Sequence, residues 1–356
     1  MGRAVRVGLR ARLVWLGLVS VAIWHRPAMG EIHEVPDAPV SFSDCPSVRF
    51  SIKYAPAAPG EEGAIPKLEI VPEQALAANY EETPTHPTMF ALMITGKDQA
   101  HEYFARHSML SFAHQSAARK VLVVINDSPN YTLTGPPAAW LSEASPGIMS
   151  EPPHCVVEVR IEPGRYTLGD LRNIGINAVP LGGVWVQWDD DDWHERQYMR
   201  LKAEKMASEH KHAMTIKSQI RYFFAKNSSY VYAPKSGFGI EGTVMVFKTP
   251  TVAPIQYRAQ GKSEDSFFIM DIRRAKVPSG VWDNPPNLYF RFFHGINTWN
   301  GVHYQINKLP GDNAWCSDLE TQTFGCESEM DNELHHFVRR TYVDVAAALA
   351  AAPKEA

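Results

Sequence analysis

Met89–Thr95 (MFALMIT) is an unbroken apolar run that stops at Gly96-Lys97, and Lys120–Ile125 (KVLVVI) is a second that stops at Asn126-Asp127. A strand with one wet face alternates polar and apolar residues. A run without alternation fits a strand covered on both faces, as in a parallel sheet between helix layers. Gln99–Gln115 lies between the two runs and reads as a helix, with Tyr103, His107, Leu110 and His114 on one side. Asp98 is placed to cap it. Strand, helix, strand makes a βαβ unit with a polar loop at the carboxyl end of each strand. Val156–Ile161 and Val184–Trp188 repeat the strand signal. Between them, Thr167-Leu168-Gly169-Asp170 resembles a capping box opening a helix through Ala178. Glu195 to about Ala207 and Asp265–Arg274 read as helices, Gly242–Lys248 and Leu288–Phe293 as strands. The expected class is α/β, with one central, mostly parallel sheet flanked by helices.

The 356 residues would allow about two domains. The strand and helix signals, however, fall within residues 87–310, one domain. Hydrophobic residues at 45% and charged residues at 21% exclude a mainly disordered or coiled-coil chain. A net charge of -4 gives no basic bias, so nucleic acid is not an expected partner. Arg3, Arg6, Arg10 and Arg12 precede the apolar Leu13–Trp24, and Ala28 and Gly30 are small. Residues 1–30 therefore read as a signal peptide or a short signal anchor in the membrane. That places the protein in the ER or Golgi lumen or outside the cell. There Cys45, Cys155, Cys316 and Cys326 are expected to form disulfides, in any of three pairings. Asn126, Asn130 and Asn227 begin glycosylation sequons, of which Asn227 is the best acceptor. Residues 31–86, rich in Pro, Ala and Glu, read as a stalk, and 311–356 as a tail holding the two late cysteines.

Asp189-Asp190-Asp191-Asp192 closes the fourth strand. Adjacent carboxylates repel unless a cation or water relieves them. In an extended segment alternate side chains share a side, so Asp189 and Asp191 can face one ligand. A hard divalent ion such as Mn²⁺ or Mg²⁺, held by one or two carboxylates and substrate phosphate oxygens, fits this pattern. The competing reading is a solvated acidic turn with Asp192 capping a helix. Glu264-Asp265 stands at a helix start, where acids are also favoured by the helix dipole alone. His294, with Asn297, Trp299 and His303, follows the last aromatic strand.

TMFALMITGKDQ, FARHSMLSFAHQ and KVLVVINDS, taken in order, resemble the opening of family 2 glycosyltransferases. LGDLRNIGINA is similar to that family's Gly-x-x-Arg-Asn segment and VWVQWDDDDWH to its strand with a D-x-D metal motif. GKSEDSFF resembles its Glu-Asp segment, and FFHGINTW its His-Gly-x-Asn-Thr-Trp tail. The resemblance spans about Pro87 to Gln305. It implies a GT-A fold, a nucleotide-sugar donor, and transfer with inversion to a glycan, lipid or protein acceptor. On this resemblance Thr95, Asp98 and Asp127 (or Asn126) line the nucleotide, and Arg172, Asn173 and Asp189 lie at the donor. Asp189 and Asp191 hold the metal, assisted by Asp192 and His294. Asp265 is the catalytic base, with Glu264 beside it. Ser263 departs from the glycine common before Glu-Asp, and the double acid after the second strand is Asn126-Asp127 here. No Gln-x-x-Arg-Trp segment is present, which disfavours a processive synthase. The alternatives are a non-catalytic sugar- or nucleotide-sugar-binding protein on a degenerate transferase fold, and a metal-dependent phosphohydrolase.

Overall fold

The computed structural model describes residues 50–55, 67–72, 87–96, 100–144, 155–223, 228–234, 237–295 and 297. β1 (Phe50–Ala55) and β2 (Lys67–Pro72) pair antiparallel inside the stretch expected as a stalk. Phe-Ser-Ile-Lys-Tyr-Ala does alternate, a signal that the surrounding proline and alanine obscure. The expected signal, the tail and the sequon at Asn227 lie outside the described residues. Cys155 is disulfide-bonded; Cys45, Cys316 and Cys326 also lie outside them, and with them the pairing.

The chain continues through β3 (Met89–Thr95), α1 (His101–Ala113), β4 (Lys120–Asn126), α2 (Ala139–Ala144), β5 (Val156–Arg160), α3 (Leu168–Asn177) and β6 (Val184–Asp189). After these come β7 (Asp192–His194), α4 (Tyr198–Ser208), β8 (Ala213–Ile216), β9 (Gln219–Phe223) and β10 (Ser228–Tyr232). β11 (Ile240–Phe247), α5 (Glu264–Arg274), β12 (Ser279–Trp282) and β13 (Tyr289–Phe293) complete the described elements. A seven-stranded sheet has the order β12-β8-β11-β6-β3-β4-β5. Only β11 runs against the rest. This is the expected α/β architecture with a central, mostly parallel sheet.

The apolar runs are continuous because both sheet faces are covered. Ala91 and Met93 of β3, Val124 of β4 and Trp188 of β6 pack on one face with Met109 and Phe112 of α1 and Met206 of α4. Phe90, Leu92, Val123 and Trp185 pack on the other with Leu171 and Ile174 of α3 and Phe268 and Ile272 of α5. Strand order reverses at β3, with β4 on one side and β6 on the other. Open sheets bind ligands at the carboxyl edge of such a switch point. In register there, Thr95 pairs with Asn126 and Ile94 with Asp189.

α3 starts as its sequence predicts. Thr167 Oγ1 accepts from Asp170 N at 3.3 Å, and Asp170 Oδ2 accepts from Thr167 N at 3.0 Å. Thr167→Ala should cost about 1 kcal/mol, read as a lowered urea midpoint with an unchanged slope. No change in midpoint would show the cap to be idle. Gly169, the second residue of α3, is held by close approach: a Cβ there would lie 1.9 Å from the Arg258 carbonyl oxygen.

A second sheet has the order β10-β9-β13-β7. Only Asp190 and Asp191 separate β6 from β7, so the four aspartates bridge the two sheets. Asp192 opens a strand and caps no helix, since α4 begins six residues later, at Tyr198. Among the described residues no helix is long and apolar enough to cross a membrane.

Candidate active site

Asp189 ends β6, and its Oδ1 accepts from Arg172 Nη2 and from Gln187 Nε2, both at 3.3 Å. Arg172, on α3, also donates through Nε to Glu264 Oε1 at 2.9 Å. A buried guanidinium therefore ties the end of β6 to the start of α5. Burial opposes the charge on Arg172, but Asp189 and Glu264 outweigh it and raise its pKa. Burial also raises the pKa of Asp189 despite Arg172. On β11, a Cβ added at Gly242 would stand 3.5 Å from Asp265 Oδ2 and 3.9 Å from Asp189 Oδ2. Gln187 Nε2 is nearer still, at 3.3 Å, so the amide and the two carboxylates converge on the bare face of Gly242. Burial, then the neighbouring Glu264, raises Asp265 to about 6. Ser263 enters α5 at φ 61. Glycine adopts that left-handed conformation more readily than serine.

Asp191 lies between the sheets. Its Oδ2 is 3.1 Å from His294 Nε2 and accepts from Asn297 Nδ2 at 2.9 Å. The His294 ring stacks on Phe104 of α1, centroids 4.0 Å apart. Burial works against the Asp191 charge, yet the hydrogen bond from His294 holds its carboxyl below the usual range. Burial lowers His294, leaving a neutral imidazole able to ligate. Its Nδ1 is buried, with no partner among the described residues. Asp190 lies 3.3 Å from His101 Nδ1, and the His101 ring stands edge-on to that of His294, centroids 6.0 Å apart. Asp192 is taken up by β13, accepting from the Tyr289 hydroxyl and from Phe292 N. Burial and then Asp191 push its pKa well up. Among the described residues no three His, Cys, Asp or Glu side chains gather as a ready-made metal set. The Asp191–His294 pair offers one carboxylate oxygen and one imidazole nitrogen, two donors of different preference that by themselves select no one ion.

At the ends of β3 and β4, Thr95 Oγ1 is 2.8 Å from the Tyr131 hydroxyl. Asp127 folds over Gly96 so closely that a Cβ there would lie 1.5 Å from Asp127 Oδ1. Asn126 is fully buried. Its amide donates to Glu158 Oε1 and the Tyr131 carbonyl, and its Oδ1 accepts from Ser128 N. Asn126 thus shapes the loop after β4, leaving Asp127 as the acid at this rim. Asp98 lies outside the described residues. Asn173 points to Tyr257, accepting from its N at 2.7 Å and donating to its carbonyl at 2.8 Å.

The structure brings Arg172, Asp189, Glu264 and Asp265 to one place, and Asp191 and His294 to another, two residues beyond the end of β6. Sequence reading missed Gln187, Tyr131 and Tyr257. Gln187 had a signal: a lone amide in the buried run VWVQW needs partners. The two tyrosines had none.

No protein-family model matches the chain, and no curated protein matches it. Among solved structures it is similar to S. aureus TarS 1-349 in complex with UDP. Identity is 14%, over 73% of this chain and 89% of that one, with a TM-score of 0.42. The same S. aureus protein in complex with UDP-GlcNAc gives 13% identity, the same coverage and a TM-score of 0.44.

Proposed function

We propose that the protein is a non-processive, inverting family 2 glycosyltransferase of GT-A type, moving a sugar from a nucleoside-diphosphate sugar to an acceptor hydroxyl. The observation that carries this reading is the approach of Asp189 and Asp265 to one spot over Gly242. One is a carboxylate at the carboxyl edge of the switch point; the other is a carboxyl tuned to about 6. Asp265 accepts the proton of the acceptor hydroxyl as the new bond forms, and a base of that pKa is mostly ionised at neutral pH. Direct displacement needs no covalent intermediate. Arg172 keeps Asp189 and Glu264 in place. Thr95 and Asp127 border the nucleotide. Asp191 and His294, with Asp189 nearby, would hold Mn²⁺ or Mg²⁺, which when bound offsets charge on the departing diphosphate. The acceptor is a glycan, lipid or protein, met in the secretory pathway.

A thermal-melt panel of UDP, GDP and their sugars, with and without Mn²⁺, tests this reading. A ligand at 100 times its Kd should stabilise the protein by about 2.7 kcal/mol. The Mn²⁺-dependent part should vanish in Asp191→Asn. Absence of any nucleotide effect would overturn the proposal. Binding with no consumption of the sugar would identify a non-catalytic binder, the reading favoured by the asparagine, rather than acid, at 126.

A further inference from the structure

Arg172 and Asn173 are adjacent on α3 but point apart, and both branches lead to the same oxygen. The short branch is the Arg172 Nη2 hydrogen bond to Asp189 Oδ1. The long branch runs through Tyr257. Asn173 pairs with both backbone polar groups of Tyr257, as a strand neighbour would. The Tyr257 ring stacks on Phe268 of α5, centroids 4.3 Å apart and planes 12° apart. The ring is thus fixed at its backbone and along its face. Its hydroxyl reaches Gln187 Oε1 at 3.2 Å. An amide oxygen only accepts, so the tyrosine O–H donates. With the oxygen end of the amide engaged there, the NH₂ end faces the next carboxylate, and Gln187 Nε2 donates to Asp189 Oδ1 at 3.3 Å. Burial raises the Tyr257 pKa and keeps the hydroxyl a donor.

We propose that Tyr257 is a positioning residue for Asp189, acting through Gln187, and that Arg172-Asn173 is the forked support on which that carboxylate is held. Two donors engage Oδ1, and Oδ2 faces Gly242. The inference deepens the transferase reading and rests on it for its effect on turnover, though not for the network itself.

Two measurements on the full chain separate these. In ¹⁵N spectra the Gln187 side-chain NH₂, assigned by its loss in Gln187→Met, should shift in Tyr257→Phe, which retains the ring and its stack. An unshifted resonance overturns the network whatever the protein catalyses. On the nucleotide sugar that the wild type consumes, Tyr257→Phe should lower kcat/KM about tenfold, the loss expected for one carboxylate-orienting hydrogen bond. In a Gln187→Met background the same change should have no further effect, because its route to Asp189 is already cut. Equal losses in both backgrounds mean a general structural role and overturn the positioning role. A shifted resonance in a wild type that consumes no nucleotide sugar leaves the network standing and refutes the transferase reading.

Discussion

Asp265→Asn is expected to lose turnover by about a thousandfold, within the range assigned to general bases, while still binding donor. The same variant should be more stable at neutral pH. The native pKa of Asp265 is about 6 against an ordinary 3.8. The folded state therefore holds this proton more tightly than the unfolded chain. The resulting stability is complete below the ordinary value and is lost as pH rises from about 4 through 6. Above that window the ionised carboxylate is a burden of about 2 kcal/mol, at 1.4 kcal/mol per unit with some discount for solvent. Asparagine keeps the shape and removes the burden. Wild-type kcat/KM should rise with pH through about 6 and then level. Urea melts at pH 7 and donor-binding titrations check both halves. A fully active variant would refute the base assignment, and an unfolded one would refute the predicted gain in stability. Gain of stability with loss of activity is the mark of a group kept for function.

Arg172→Met is expected to destabilise the fold by about 3–5 kcal/mol, the cost of removing one partner from a buried ion pair. The guanidinium is the cation that Glu264 and Asp189 share, its bond to Glu264 buried and its bond to Asp189 part-buried. Methionine fills much of the volume, so the loss is chiefly electrostatic. Glu264→Gln in the same chain should recover a large part of it, because neutralising the stranded acid removes the penalty. The urea midpoints of wild type, single and double variants decide the matter. A single variant within 1 kcal/mol of wild type would mean that water reaches the acids. A double variant no better than the single would place the cost in packing.

The central sheet was legible because its strands are covered on both faces. MFALMIT, KVLVVI and VWVQW carry an apolar run that surface strands lack. The small sheet was not. Gln219–Phe223 (QIRYF) and Ser228–Tyr232 (SSYVY) mix arginine, glutamine, serine and aromatics; they pair with each other, but the other neighbour of β9, β13, comes from far along the chain. β12 is four residues with a glycine, too short to show a period. The acids of the site were legible as residue types at strand and helix ends. Their partners were not, since Arg172 and Glu264 are 92 positions apart and no local pattern links them. Asp192 was read as a neighbour of its fellow aspartates. Its surroundings instead follow from β13 lying antiparallel to β7, a non-local pairing.

The two-residue step from β6 to β7 sets a rule of counting. Asp189 is registered on β3 by the large sheet and Asp192 on β13 by the small one. The stretch between them has no slack. Because side chains alternate along a strand, adding or deleting one residue on either side would turn every following side chain to the opposite face. The acidic corner can therefore vary in composition but not in length. What the two sheets conserve between them is a distance along the chain, and the chemistry of the corner is hung on that fixed measure.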